Sequence, residues 1–361
     1  PTARATSTDR GKLIRAFCAT HRTALKKSLD LYATETQICR KRPPTQALSV
    51  KDTDMTKARQ HLPGQVTLLT RRTEERRYFL RPDTHIRKVV MYELAKSAED
   101  TFMGVHALMT MGNHPHIAGT DQRGERSEFM RNFCSGIARA QNRHLDRKGH
   151  FWDTQQFGDT VLLDREAIEE KLLYIWLNPV VAGLVARAKD WPGAKILPSD
   201  WGRTQTITAP NDGFYNQKKA RTIEFTPMPP PGYEDMTLEE VIEHFETLLA
   251  EAEEKLRKRR RRAGKRVAGL RKVLQLSPLD APGTRAKSGK LNPRFASRNA
   301  ALMAQAQKER REFLADYDEA NDQLRKGNHE VEFPPGTIRL RKIANVTCRP
   351  PEGCECTAFA A

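Results

Sequence analysis

"GVHALMTMGNHPHIAGT", residues 104–120, sets the order of the elements around it. Residues 104–111 and 114–120 are short, largely apolar runs, and Gly112-Asn113 between them is the turn chemistry of a hairpin. Two adjacent strands are therefore expected. On the second, His114 and His116 are two residues apart, so both side chains leave the same face. Two imidazoles on one face can hold a divalent ion. In a chain with 10 His, however, an HxH arises readily by chance, and the pair acquires meaning only through partners supplied elsewhere.

Outward from the hairpin the periodicities alternate between two and 3.6. Upstream, "QVTLLTRR" (65–72) is β-rich and weakly alternating. "DTHIRKVVMYELAKSAED" (83–100) spaces Ile86, Val89, Val90 and Leu94 as one helical face. Downstream, 127–145 reads as a helix with Ser127 as N-cap and Phe129, Phe133 and Ile137 four apart. A short strand near 157–163 follows, then a helix over 164–178 that Pro179 is expected to stop. The order β-α-β-β-α-β-α is that of a ferredoxin-like α+β sandwich carrying one added helix, over about 62–195.

The flanks differ in character. Residues 1–61 are polar and basic without periodicity, the pattern of a loosely ordered arm. Residues 196–236, including "TPMPPPGYED" at 226–235, read as a linker, and 237–361 as a mostly helical, basic extension. That extension opens with a Thr237/Glu240 capping box and a stripe of Leu238, Val241, Ile242, Phe245 and Leu249. A second long helix is expected over about 298–326, and a short strand or turn over 331–342.

With 62 Lys and Arg against 45 Asp and Glu, the chain carries +17. Such a surplus points to a polyanionic partner, nucleic acid first. No apolar run approaches 18 residues, no signal peptide is visible and no basic amphipathic helix faces a membrane. Six scattered Cys without a CxxC pair read as reduced thiols of a cytosolic protein. Cys348, Cys354 and Cys356 read as a plain tail rather than a metal clip. Arg71, Arg72, Arg76 and Arg77, beside Tyr78 and Phe79, are candidates for gripping a nucleic-acid backbone. So are Lys258, Arg259, Arg260 and Arg261 within the run "KLRKRRRR".

Partners for the histidines come from the 164–178 helix. There Lys171, Tyr174 and Asn178 form a polar stripe opposite Ile168, Leu172 and Ile175. The plain alternative makes Tyr174 an amphipathic packing residue and Asn178 a helix cap. Taken together, "ALMTMGNHPHIAGT", "FMRNFCSGIARAQNRHLDRKGHFWDTQQF" and "LLYIWLNPVVAGLV" resemble the single-tyrosine HUH transposases, most closely the REP-associated branch. The resemblance covers about 62–195. It implies Tyr174 as nucleophile, with His114, His116 and Asn178 holding Mg²⁺ or Mn²⁺. It further implies nicking and strand transfer on single-stranded or hairpin DNA through a 5′-phosphotyrosine, in a bacterial cytoplasm close to the nucleoid, with a homodimer compatible. Lys171, one turn before Tyr174, is a candidate helper for ionising the phenol. Pro115 stands where the family carries a bulky apolar residue, and Thr110-Met111-Gly112 replaces its Met-Pro turn. Two other functions remain open at this point: a domesticated, non-cleaving hairpin-binding protein, and an RNA-binding protein.

Overall fold

Why the hairpin forms where it does is visible in its backbone hydrogen bonds. In the computed structural model, which describes residues 58–284 and 293–350, Met111 N–H donates to His114 O at 2.9 Å and closes the turn. This joins β2 (Met103–Thr110) to β3 (Pro115–Asp121), with Thr110 opposite Pro115 and Met109 opposite His116. Pro115 opens β3, where a missing N–H costs least, and its carbonyl accepts from Thr70 Oγ1 at 2.8 Å.

The other elements of the core are β1 (Gln65–Thr70), α1 (Thr84–Thr101), α2 (Arg126–His144), β4 (Gly158–Leu162) and α3 (Arg165–Val181). With β5 (Lys195–Ile196) and β8 (Phe295–Ala296) the strands make a six-stranded mixed sheet in the order β5-β2-β3-β1-β4-β8. Only the β4–β8 pair is parallel. The result is a mixed α+β fold. Helices α1 and α2 bury Ile86, Val89, Phe129 and Phe133 in one core with Leu69, Leu108 and Ile117 of the sheet. Helix α3 buries Leu172, Ile175 and Trp176.

The helix termini show what the sequence pattern could not. Asp83 and Asp164 cap α1 and α3, accepting from Ile86 N at 3.0 Å and Ala167 N at 2.7 Å. Ser127, expected to cap α2, lies inside it. The cap comes from β3 instead, because the Asp121 carboxylate accepts from Glu125 N at 2.7 Å and Arg126 N at 3.0 Å. Pro179 does not stop α3, which runs to Val181 with Pro179 inside. Burial of Pro179 and Val180 offsets the rung that proline removes.

Residues 1–57, almost all of the expected basic arm, lie outside the described residues, as do Cys18, Cys39, Cys354 and Cys356. The segment 196–236 was expected to be a linker, yet it is folded. It contains the pair β6 (Gln205–Ile207) and β7 (Ile223–Phe225) and buries Trp201, Ile223, Phe225 and Tyr233. Trp201 Nε1 donates to His106 O at 2.8 Å and Met228 N–H to Val105 O at 3.0 Å, so its proline-rich part runs along β2 as extended chain. Next come α4 (Leu238–Arg262), with the Thr237/Glu240 capping box in place, and α5 (Leu270–Gln275). Helices α6 (Ala300–Arg325) and α7 (Arg339–Ala344) complete the chain as described. Helix α4 lays Phe245 edge-on to Trp176 of α3, with ring centroids 5.9 Å apart. The extension thus packs on the tyrosine-bearing helix. Residues 331–342, expected as a strand or turn, pair briefly through Phe333 with Cys348 and then enter α7.

Buried histidines make the fold sensitive to acid, His106 and His61 among them. His106 Nδ1 donates to Met228 O at 3.0 Å, so Nε2 accepts from Thr120 Oγ1 at 2.7 Å, and burial lowers its pKa to about 4. Burial, with Arg126 adding to it, lowers that of His61 to about 3. Both are neutral when folded and protonate near 6.5 when unfolded, so their stabilisation is full above 6.5 and is lost as pH falls toward the folded values. Each contributes a loss of about 1.4 kcal/mol per pH unit in that window. Urea unfolding at pH 5.5 should therefore fall short of that at pH 7.5 by at least about 3 kcal/mol, since the buried His114 and His116 shift in the same direction. An unchanged midpoint would contradict the burial assigned to these rings.

Candidate active site

Three rings from two elements meet on the sheet face that carries α3. His114, directly before β3, and His116, its second residue, stand edge to face with centroids 4.6 Å apart and planes at 81°. The His116 ring is in turn edge-on to Tyr174 of α3, at 5.2 Å and 84°. The helix is oriented by Leu172, Ile175 and Trp176, all fully buried, which leaves the half-buried Tyr174 and Asn178 at the rim. Pro115 does not separate the two imidazoles.

The protonation of this pair follows from its neighbours. Asn113 Nδ2 donates to Arg76 O at 3.1 Å, so its Oδ1 is free to accept. That Oδ1 lies 2.6 Å from His114 Nδ1, which must then donate and leave the lone pair on Nε2. Such a partner behind a ligating imidazole sets its tautomer and ring orientation. Both nitrogens of His116 are buried without a hydrogen-bond partner. Burial, then Arg72 and Arg76, lowers the His114 pKa to about 4. Burial, then His114 and Arg72, holds His116 well below the ordinary value. Neutral imidazoles with available lone pairs are the form a cation requires. Among the described residues no three His, Cys, Asp or Glu side chains converge on such a point, so a third protein donor would be an amide. The Asn178 amide, one turn after Tyr174, spends Nδ2 on Tyr174 O at 2.9 Å, which leaves its Oδ1 able to accept. The residues present fit a hard divalent ion.

No family model matches the chain. Over 80 residues, a fifth of its length, it is 31% identical to a REP-associated tyrosine transposase of Haemophilus influenzae. The chain is similar to REP-associated tyrosine transposases. It spans about 45% of that curated relative. Among solved structures, one of a REP-associated tyrosine transposase bound to a REP hairpin is 19% identical with a TM-score of 0.35, covering 45% of this chain and 88% of the other. A protein of Deinococcus radiodurans described as a transposase is 16% identical with a TM-score of 0.25, covering 34% and 95%.

The remaining expected residues separate into free and engaged groups. Lys171 Nζ lies 2.9 Å from Glu170 Oε1, and Arg298 binds the same carboxylate at 2.8 Å, so the ammonium is engaged by Glu170. Arg71 lies against buried Cys134. Arg76 donates to the carbonyl and hydroxyl of Thr284, and Arg77 to Glu75 at 2.5 Å and to Leu279 O at 2.8 Å. Arg72 is exposed beside the histidines. Phe79 is core, stacked on Phe151 at 5.2 Å, and Tyr78 is half-buried against Gly112. In α4, Lys258 and Arg261 face Glu254 at 3.7 and 4.0 Å, and Arg259 is exposed. Arg260 turns inward to Val180 O at the end of α3. Asn113 was missed as a functional residue because it read as turn chemistry. Its position directly before the first histidine was the only available signal.

Proposed function

We propose that this chain is a transposase-type nickase and strand transferase acting on single-stranded, hairpin-forming DNA, with Tyr174 as nucleophile and Mg²⁺ or Mn²⁺ as cofactor. One observation carries the reading: His114, His116 and Tyr174 form a continuous ring cluster in which the His116 nitrogens are buried without partners. The consecutive run β4-β1-β3-β2 in the sheet supports taking 62–195 as a ferredoxin-like core with α3 added. The net charge of +17 suits a polyanionic substrate.

In this reading His114 Nε2, a His116 nitrogen and Asn178 Oδ1 would hold the divalent ion, which would supply neutralisation of charge developing on the phosphate. Asn113 holds the His114 tautomer, and the buried face of α3 holds the phenol against the His116 edge. Tyr174 Oη forms a bond to phosphorus while the P–O3′ bond breaks. The phenolic proton is given up, and the leaving 3′ oxygen departs as a hydroxyl. A 5′-phosphotyrosine remains, and a later 3′-OH can reverse the step to rejoin a strand without ATP. Arg72 and the exposed cations of α4 attract the phosphates.

The test is incubation of the full chain with labelled single-stranded hairpin oligonucleotides and Mn²⁺, scored for a covalent band in denaturing gels. His116→Ala should remove the band, and Asn113→Ala should weaken it about tenfold through loss of the imidazole's orienting partner. Hairpin binding without any band from the wild-type chain would favour the non-cleaving alternative.

A further inference from the structure

We propose that Arg260 is a positioning residue for the turn of α3 that carries Asn178, and not a phosphate contact like its neighbours in the basic run. The inference rests on the Tyr174 reading above. Pro179 sits inside α3 and cannot donate to the carbonyl one turn back, so the ladder is weakened just where Asn178 must be held relative to Tyr174. Arg260 supplies a tie from outside. Its Nη2 donates to Val180 O, while the side chain is half-buried and its pKa lowered, by burial first and Arg259 second. A cation at a helix C-terminus is also the favourable sign for the helix dipole. Two backbone bonds complete the tie: Ala268 N–H donates to Gly183 O at 2.8 Å and Gly269 N–H to Leu184 O at 3.0 Å. Gly183 adopts φ +72°, and the Arg260 guanidinium lies 3.7 Å from where its Cβ would be.

The last turn is therefore clasped by 260–269. Ala182 N–H bonds Asn178 O at 3.0 Å and Leu184 N–H bonds Pro179 O at 2.9 Å, so the clasp and the asparagine belong to one hydrogen-bonded unit. Lys258, Arg259 and Arg261 are exposed on the same stretch of α4, the first and last facing Glu254 at 3.7 and 4.0 Å across the surface. The basic run thus divides by side: three cations outward, one inward.

The experiment compares Arg260→Ala, Arg260→Lys and the combined Lys258→Ala/Arg259→Ala/Arg261→Ala variant in the full chain. It reads three quantities: hairpin affinity against salt, adduct rate at saturating DNA against Mn²⁺ concentration, and backbone hydrogen exchange over 178–184. Arg260→Ala should keep the wild-type salt slope and bind the hairpin within about twofold. Its adduct should form about tenfold more slowly, with about tenfold more Mn²⁺ at half-maximal rate. Amides 182–184 should exchange faster, and Arg260→Lys should recover part of each loss. The triple variant should flatten the salt slope. If the alanine variant does not fold, Arg260→Lys and Arg260→Gln should still rank in that order for rate and Mn²⁺ demand. An Arg260 variant with a flattened salt slope and an unchanged saturated rate would overturn the proposal, as would unchanged exchange over 178–184. Absence of any adduct from the wild-type chain, with faster exchange in Arg260→Ala, would overturn the Tyr174 reading and leave the clasp standing as a purely structural one.

Discussion

Tyr174→Phe is expected to abolish the covalent protein–DNA band while leaving hairpin affinity within about twofold of wild type. The substitution removes only Oη. The ring keeps its volume and its edge-on contact with His116 at 5.2 Å, so no cavity opens in the cluster. Leu172, Ile175 and Trp176 still fix α3 against the sheet. The cations available to phosphate, Arg72 and the outward face of α4, lie on other elements. Binding and chemistry should therefore separate cleanly in this variant. The same separation is not expected for His116→Ala, which empties a buried position between His114 and Tyr174 and should loosen the phenol as well.

The largest effect on stability is expected from Arg126→Ala, with a loss of about 3–5 kcal/mol in urea unfolding. Arg126 is fully buried at the start of α2. Its Nε donates to Asp159 Oδ1 at 3.0 Å, Nη1 to Asp121 Oδ2 at 3.3 Å and Nη2 to Gln60 O at 2.9 Å. One guanidinium thereby ties β3, β4 and the chain before β1. Burial works to raise the Asp159 pKa, but Arg126, His61, Arg59 and Arg294 together overcome it and hold the carboxyl below its usual range. At Asp121 burial wins over Arg126, and the pKa is raised. Removing the guanidinium strands Asp121 most, since Asp159 keeps Arg294 at 3.2 Å. A loss under about 1 kcal/mol would show that Arg294, Arg59 and solvent compensate for it.

The core of the fold was legible because its elements are local. Each strand and helix from β1 to α3 carries its own period, and a turn dipeptide sits where β2 meets β3. What the sequence hid was set by residues distant along the chain. Ser127 looked like the cap of α2 until Asp121 took that role from the end of β3. Pro179 looked like a stop until packing of Val180 and α4 held the helix together beyond it. The proline-rich segment 226–235 looked like a linker because extended chain and linker share a composition, and only the bond from Met228 N to Val105 O tells them apart.

The candidate site divides in the same way. His114 and His116 share a face by the two-residue period of a strand, and Tyr174 and Asn178 by the helical one. Their convergence depends on β3 and α3 meeting, which no local pattern encodes. The basic residues were the least legible. Charge in a sequence does not reveal which side of a helix or turn it lies on, so Arg76, Arg77 and Arg260 read like Arg72 and Arg259. In the structure the first three bond to main-chain carbonyls and the other two face solvent.

Attachment of DNA at Tyr174 Oη is the step on which the proposed function depends. Mass spectrometry of the tryptic peptides from a reaction with hairpin DNA and Mn²⁺ tests it directly. Cleavage after Lys171 and Arg187 isolates a peptide with Tyr174 as its one tyrosine. The nucleotide mass is expected on that peptide, at Tyr174, joined through a 5′ phosphate. A nucleotide on any other residue, or hairpin DNA bound and released without a covalent product, would contradict it.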